Sequence, residues 1–216
     1  MRLGVLGTGV VGTTLGGGWV AAGHEVRLGS RTSDNAAAAA WATAQGPAAS
    51  HGTFADAAAF AEVVVNATSG AATLAALGAA GADQLAGKVL VDVSNPLDFA
   101  AGFPPTLLVK DTDSLAEQVQ RAFPGSRVVK TLNTVAASVM VAPQSLSEPT
   151  DVFVAGDDVS AKDTVRALLA GLGWSAEHVH DLGPLEAARG LEMYLPLWLR
   201  LMQSSGTADF NIRVVR

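Results

Sequence analysis

The feature that most limits what this chain can fold into lies at its start. A short apolar stretch, Arg2–Leu6, runs straight into Gly7-Thr8-Gly9-Val10-Val11-Gly12. Glycines spaced G-x-G-x-x-G are weak evidence alone, but between a strand and a helix they fit one job. Gly7 permits a tight turn, Gly9 lets the backbone approach a pyrophosphate, and Gly12 lets the helix pack closely on the strand. The pyrophosphate then meets free N–H groups at the positive end of the helix dipole. A glycine-rich turn without a ligand is the bland alternative, and the strand–loop–helix context weighs against it.

Strand and helix signals alternate after that loop. Strands are expected at Arg2–Leu6, Glu25–Leu28, Ala48–Ser50, Glu62–Asn66, Lys88–Val93, Arg127–Leu132, Asp151–Ala155 and Val179–Leu182. Helices are expected at Val10–Ala22, Ser33–Gln45 (capped by Ser33 or Asp34), Asp56–Phe60, Ala71–Ala80, Asp113–Phe123, from about Val135, and at Ser160–Leu172. Pro184–Gln203 reads as the longest helix, and Ile212–Val215 as an extended tail. Such alternation predicts an α/β fold: a Rossmann-type parallel sheet with helices on both faces and a small C-terminal α/β extension. The expected division is a nucleotide-binding domain over residues 1–145 and a small C-terminal region over 146–216, with a soft boundary near Pro143–Thr150.

The second strand ends in Leu28-Gly29-Ser30-Arg31-Thr32. An NAD site usually carries an acid here to hold the ribose 2′-hydroxyl. An acid would repel a 2′-phosphate, whereas Arg31 flanked by Ser30 and Thr32 would bind one through charge-assisted hydrogen bonds. NADP(H) is therefore the expected nucleotide. Ligands of open α/β sheets lie beyond the carboxyl ends of the strands. Two further strand ends, Ala67-Thr68-Ser69 and Asn95-Pro96, are thus candidates for the ribose and nicotinamide, though both also read as ordinary turns. The turn Asn133-Thr134-Val135-Ala136 is a third candidate, facing the ring that exchanges hydride. Asn133 or Thr134 could equally serve only as a helix cap.

Composition removes other classes. Net charge is −6 with no basic run, so nucleic acid and anionic membranes are unexpected partners. The chain has no cysteine, and His24, His51, His178 and His180 form no metal-ligand pattern, so no metal site is expected. No targeting segment or apolar run long enough to span a bilayer is visible, which leads to a cytoplasmic expectation.

The lysines are Lys88, Lys110, Lys130 and Lys162, none on the expected long helix, and the one tyrosine, Tyr194, sits among apolar residues. No acid–base residue is evident, so no catalytic side chain is assigned. A nucleotide site without a proton donor suits hydride transfer between two cofactors, which carry the chemistry while the protein aligns them.

The chain resembles the NADPH-dependent F420 reductases and related dinucleotide-binding enzymes along essentially its whole length. The likeness rests on the glycine loop, on Gly29-Ser30-Arg31, on Lys130–Ala136, and on Asp181-Leu182-Gly183-Pro184-Leu185 leading into Ala188-Arg189. It implies that Ser30 and Arg31 hold the NADP 2′-phosphate. It also implies that Asn133–Ala136 holds the deazaflavin coenzyme F420 against the nicotinamide. Members that use the deazaflavin often carry His-Thr-Ile-Pro where this chain has Asn133-Thr134-Val135-Ala136. An Asn-Thr version occurs in the nucleotide domains of membrane metalloreductases. The leading expectation is hydride transfer between NADP(H) and F420. The alternatives are reduction of a flavin, metal chelate or small substrate, and a non-catalytic NADPH sensor.

Apolar stripes Ala188-Leu191-Leu195-Trp198-Met202 and Tyr194-Leu197-Leu201 leave Arg189, Glu192, Arg200 and Gln203 on a polar face. Two stripes call for burial on two sides, which predicts a homodimer. Packing of the helix wholly inside one monomer is the alternative.

Overall fold

The computed structural model describes Met1–Arg216. Strand β1 (Arg2–Leu6) leads into α1 (Val10–Ala21), followed by β2 (Glu25–Ser30), α2 (Ala36–Gln45), β3 (Ala49–Thr53) and α3 (Phe54–Phe60). Next come β4 (Val63–Asn66), α4 (Thr73–Ala80), α5 (Ala82–Leu85) and β5 (Val89–Asp92). A small hairpin, β6 (Leu97–Asp98) and β7 (Thr106–Leu107), precedes α6 (Leu115–Ala122), β8 (Arg127–Thr131) and α7 (Ala137–Met140). The chain ends with β9 (Val152–Ala155), α8 (Val159–Gly171), β10 (Val179–Asp181), α9 (Ala188–Met193) and α10 (Leu195–Ser205).

Eight strands form one sheet in the order β10-β9-β8-β5-β4-β1-β2-β3. All neighbours are parallel except β8 and β9, which meet antiparallel through Lys130–Ala155 and Thr131–Val154. The fold is the expected α/β sheet with helices on both faces. The central strands β1, β4 and β5 are apolar through most of their length because both faces are buried. Leu3, Val5, Val63, Val65, Val89 and Val91 pack toward α1, α2 and α8. Leu6, Val64 and Leu90 point the other way, toward α3, α4 and α6. The order reverses between β1 and β4, since the chain goes to one side after β1 and to the other after β4. A crevice opens at such a point, beyond the carboxyl ends of the strands.

Several expectations need correction. Asn35, rather than Ser33 or Asp34, caps α2, its side chain accepting from the Ala38 N–H at 2.9 Å. The proline-rich segment after Asn95 contains the β6–β7 hairpin. Pro184–Gln203 is not one helix but a short turn at Leu185–Ala187, then α9 and α10; the longest helix is α8, with 13 residues. Pro196 sits in the first turn of α10, where its missing N–H costs nothing, and the break falls at Tyr194. The Glu192 side chain, placed on the polar face by spacing, is 1% exposed. The tail forms no strand but is pinned by contacts around Asp151: the Thr150 hydroxyl donates to the Ile212 carbonyl at 2.9 Å, and the Val214 N–H donates to the Asp151 carboxylate at 2.6 Å. No helix is long and apolar enough to cross a membrane.

Candidate functional site

The glycine loop shows three different local needs. Gly7 has φ +123° and donates its N–H to the Gly29 carbonyl at 3.0 Å; a Cβ there would fall 2.5 Å from the Ala67 carbonyl oxygen. A Cβ on Gly12 would fall 2.2 Å from the Gly7 carbonyl oxygen, so the close approach of α1 to the loop needs a glycine. A Cβ on Gly9 would meet nothing within 4 Å. Gly9 is thus bare on its open side. It is also the N-cap of α1 and supplies no side-chain cap, which leaves the first-turn N–H groups for another acceptor.

Beside this loop lies a cleft of 540 Å³, lined by Gly7–Gly9, Arg31, Phe54, Ala67–Ser69 and the alanines of one face of α4. Arg31 is its one ionisable residue, and the guanidinium has no hydrogen-bond or ion-pair partner in the protein. Ser30 is turned inward, 4% exposed, with its hydroxyl donating to the Thr32 carbonyl. Thr32 is exposed at the rim. Phe54 and the α4 alanines were not among the expected site residues; the run of small residues between Ala71 and Ala80 was the available signal.

A second pocket of 180 Å³ shares Ala67, Thr68 and Ser69 with the cleft, and continues to Val11, Gly70, Val93–Asn95, Leu97 and Phe99. Of the expected pair Asn95-Pro96, Asn95 lines this pocket. Pro96 is buried and not part of the lining; its carbonyl accepts from the Leu108 N–H at 2.7 Å. Phe99, on the loop that closes the β6–β7 hairpin, is 59% exposed at the rim. Hairpin topology, not spacing, brings it there.

The turn after β8 reaches this wall through Asn95. Asn95 Nδ2 donates to the Asn133 carbonyl at 2.8 Å, and Asn133 Nδ2 donates to Asn95 Oδ1 at 2.9 Å and to the Leu191 carbonyl at 3.0 Å. Asn133 Oδ1 is buried without a donor. Neither Asn133 nor Thr134 caps a helix: Ala136 is the N-cap of α7 and provides no side-chain bond. Leu132 holds φ +60°, a left-handed conformation that costs a branched residue about 1–3 kcal/mol and tends to occur at functional turns. Thr134 and Val135 are buried, and Ala136 is half-buried.

Beneath the pocket lies a charge cluster that sequence reading missed. Lys130 Nζ is 2.8 Å from Asp92 Oδ2, 2.8 Å from Glu192 Oε1 and 2.6 Å from the Ser94 carbonyl. Burial pushes the ammonium toward deprotonation, but the Asp92 and Glu192 carboxylates outweigh it and hold Lys130 above its usual range. Glu192 also accepts the Leu115 and Ala116 N–H groups at the start of α6, at 2.8 and 3.1 Å. Asp92 Oδ1 accepts from the Ser94 hydroxyl at 2.7 Å and from Asn66 Nδ2 at 2.8 Å. Thr68 in turn donates to Asn66 Oδ1 at 2.6 Å. A lysine inside an expected strand signals such a cluster only if its partners are known. Tyr194 is raised above its ordinary pKa by burial, which makes it a poor proton donor.

A family model described as "NADP oxidoreductase coenzyme F420-dependent" matches residues 2–96. The chain is 34% identical over 122 residues to metalloreductase STEAP3 of Rattus norvegicus, a match covering 54% of this chain and 22% of that protein. The chain thus spans less than a quarter of that relative's length. It is 30% identical over 225 residues to the F420-dependent NADP reductase of Methanothermobacter marburgensis, covering 99% of this chain and 98% of the relative. A crystal structure of an Arthrobacter sp. FB24 protein, assigned as an F420-dependent NADP-reductase, superposes with a TM-score of 0.94 at 50% identity over 100% of both chains. The chain belongs to the F420-dependent NADP reductase family.

Proposed function

We propose that this protein is an NADPH-dependent oxidoreductase that transfers hydride between NADP(H) and the deazaflavin F420. One observation carries the nucleotide half: a cleft at the reversal point of the sheet whose sole charge is an unpaired arginine, beside a glycine with open space where its Cβ would be. Those features suit a pyrophosphate on Gly7-Thr8-Gly9-Val10-Val11-Gly12 and a 2′-phosphate on Arg31 and the exposed Thr32, while the inward Ser30 hydroxyl, bound to the Thr32 carbonyl, shapes the turn that presents them. The deazaflavin half comes from the family, whose full-length members are named for that coenzyme.

The bound nucleotide supplies the hydride, and the protein supplies position and an environment. In this reading the α1 N-terminus and Arg31 anchor the phosphates. Ala67–Ser69 and Asn95 leave a narrow, small-residue slot for the nicotinamide, with Pro96 shaping the loop behind it. Asn133, Thr134, Val135 and Ala136 form the wall on the acceptor side. No side chain needs to act as acid or base.

The match to a metalloreductase, together with the Asn133-Thr134 pair, favours a flavin or metal chelate as the second reading. Following NADPH absorbance with F420, with FMN or FAD, and with no acceptor separates the two readings. Rapid oxidation with F420 alone supports the first, oxidation with flavin alone supports the second, and nucleotide binding without oxidation leaves a sensor. The same reading includes a cytoplasmic setting and a homodimer formed through exposed Leu197 and the half-buried Tyr194 and Leu201 beside it.

A further inference from the structure

We propose that Asp92 is a positioning residue that makes the nicotinamide pocket favour the oxidised, cationic ring over the neutral reduced ring. The proposal rests on the nucleotide reading above and adds to it a preference between redox states.

The argument starts from which groups can donate. An ionised carboxylate only accepts, so the Ser94 hydroxyl, 2.7 Å from Asp92 Oδ1, spends its proton on it. Asn66 Nδ2, 2.8 Å from the same oxygen, also donates there. That fixes the Asn66 amide so that its oxygen faces Thr68, whose hydroxyl donates to it at 2.6 Å. Ser94 and Thr68 both line the small pocket. With both hydroxyl protons turned inward, the pocket is offered lone pairs. Lone pairs suit a carboxamide NH₂ and a positively charged ring.

Charge points the same way. Asp92, Lys130 and Glu192 have side chains that are 0%, 0% and 1% exposed. Two carboxylates and one ammonium leave a net single negative charge. The α6 N–H groups neutralise part of it at Glu192. Asp92 is joined to the pocket wall through the side chains of Ser94 and Asn66; Lys130 meets that wall only at the Ser94 carbonyl, 2.6 Å away, and its charge is shared between the two carboxylates. A buried negative charge stabilises a nearby positive one and is indifferent to a neutral ring. Loss of hydride turns the neutral dihydronicotinamide into the cationic ring, so the cluster would favour the chain as a hydride donor to its acceptor.

The test is separate titration of NADP⁺ and NADPH, by calorimetry, into wild type, Asp92→Asn, Ser94→Ala, Ser94→Thr and Thr68→Val. The wild type comes first. If it binds neither nucleotide, the nucleotide reading fails and the proposal falls with it. If it binds both, Asp92→Asn is expected to weaken NADP⁺ about tenfold while moving NADPH less than about twofold. Ser94→Ala and Thr68→Val leave the charges in place and should shift the affinity ratio in the same direction by a smaller factor; Ser94→Thr should retain the wild-type ratio. A purely structural Asp92 would weaken both nucleotides together. Equal loss in Asp92→Asn overturns the proposal. Should that variant not fold, an unchanged ratio in both Ser94→Ala and Thr68→Val overturns it.

Discussion

Asn95 and Asn133 are bound to each other twice, by Nδ2 of Asn95 to the Asn133 carbonyl at 2.8 Å and by Nδ2 of Asn133 to Asn95 Oδ1 at 2.9 Å. This pair ties the loop after β5 to the turn after β8, the two segments proposed to flank the nicotinamide. The second bond of Asn133 Nδ2, to the Leu191 carbonyl, extends the tie to α9. Asn133→Ala strands two acceptors, the part-buried Asn95 Oδ1 and the buried Leu191 carbonyl. It should cost about 1–3 kcal/mol, a fall of roughly 2–12 °C in Tm. A thermal scan that leaves Tm unchanged would show the pair to be incidental.

Arg31 has no partner inside the protein and is the one charge of the 540 Å³ cleft. Arg31→Ala should weaken NADPH about 10- to 150-fold, the loss expected for one charged hydrogen-bond partner, and leave NADH little changed. Paired titrations check this. Wild-type protein that holds NADH as tightly as NADPH would contradict the 2′-phosphate reading.

Ala136 is half-buried at the end of the turn proposed as the acceptor-side wall. Ala136→Trp should leave the NADPH dissociation constant within about twofold and reduce F420 turnover at least about tenfold, since a misplaced ring loses the near-attack geometry. Full F420 turnover in this variant would move the acceptor site elsewhere.

Asp151 anchors the tail through the Val214 N–H and lies beside two histidines. His178 Nδ1 is 2.7 Å from Oδ1, and His180 Nε2 is 3.0 Å from Oδ2. Burial acts to raise the Asp151 pKa, but the Val214 N–H and the histidines outweigh it and hold the carboxyl below its ordinary value. A folded pKa below the unfolded one adds stability that is complete above about pH 4 and lost as pH falls through the folded value. Urea midpoints measured down to about pH 3 should therefore fall more steeply for wild type than for Asp151→Asn. Parallel slopes would mean that this carboxylate does not couple tail docking to protonation.

Leu197 is 56% exposed on α10, next to half-buried Tyr194 and Leu201. Light scattering should give twice the chain mass of 21.9 kDa, and Leu197→Glu should return a monomer. A wild-type mass near 21.9 kDa at micromolar concentration would assign the face to solvent.

How much of this was legible in the sequence follows from how far each feature reaches along the chain. The β1–loop–α1 unit was readable because its glycine roles are set within six residues, Gly7 to Gly12, by backbone sterics alone. The absence of an acid after β2 was readable for the same reason: Ser30-Arg31-Thr32 follows the glycines at the fixed distance of one helix and one strand. The centre of the sheet was readable because β1, β4 and β5, buried on both faces, are apolar through most of their length, whatever they pair with. Other features have no local signature. Lys130 and Asp92 are 38 residues apart, and Leu115 and Glu192 are 77 apart. Only the placement of β5 beside β8, with α9 folded back over them, makes a buried lysine and two carboxylates cheaper together than apart. Helical spacing put Glu192 on the polar face, because periodicity sees an element's own axis and not the charge waiting beneath it. Tertiary structure reversed that assignment, since a carboxylate offered an ammonium and two free helix N–H groups is better buried than solvated.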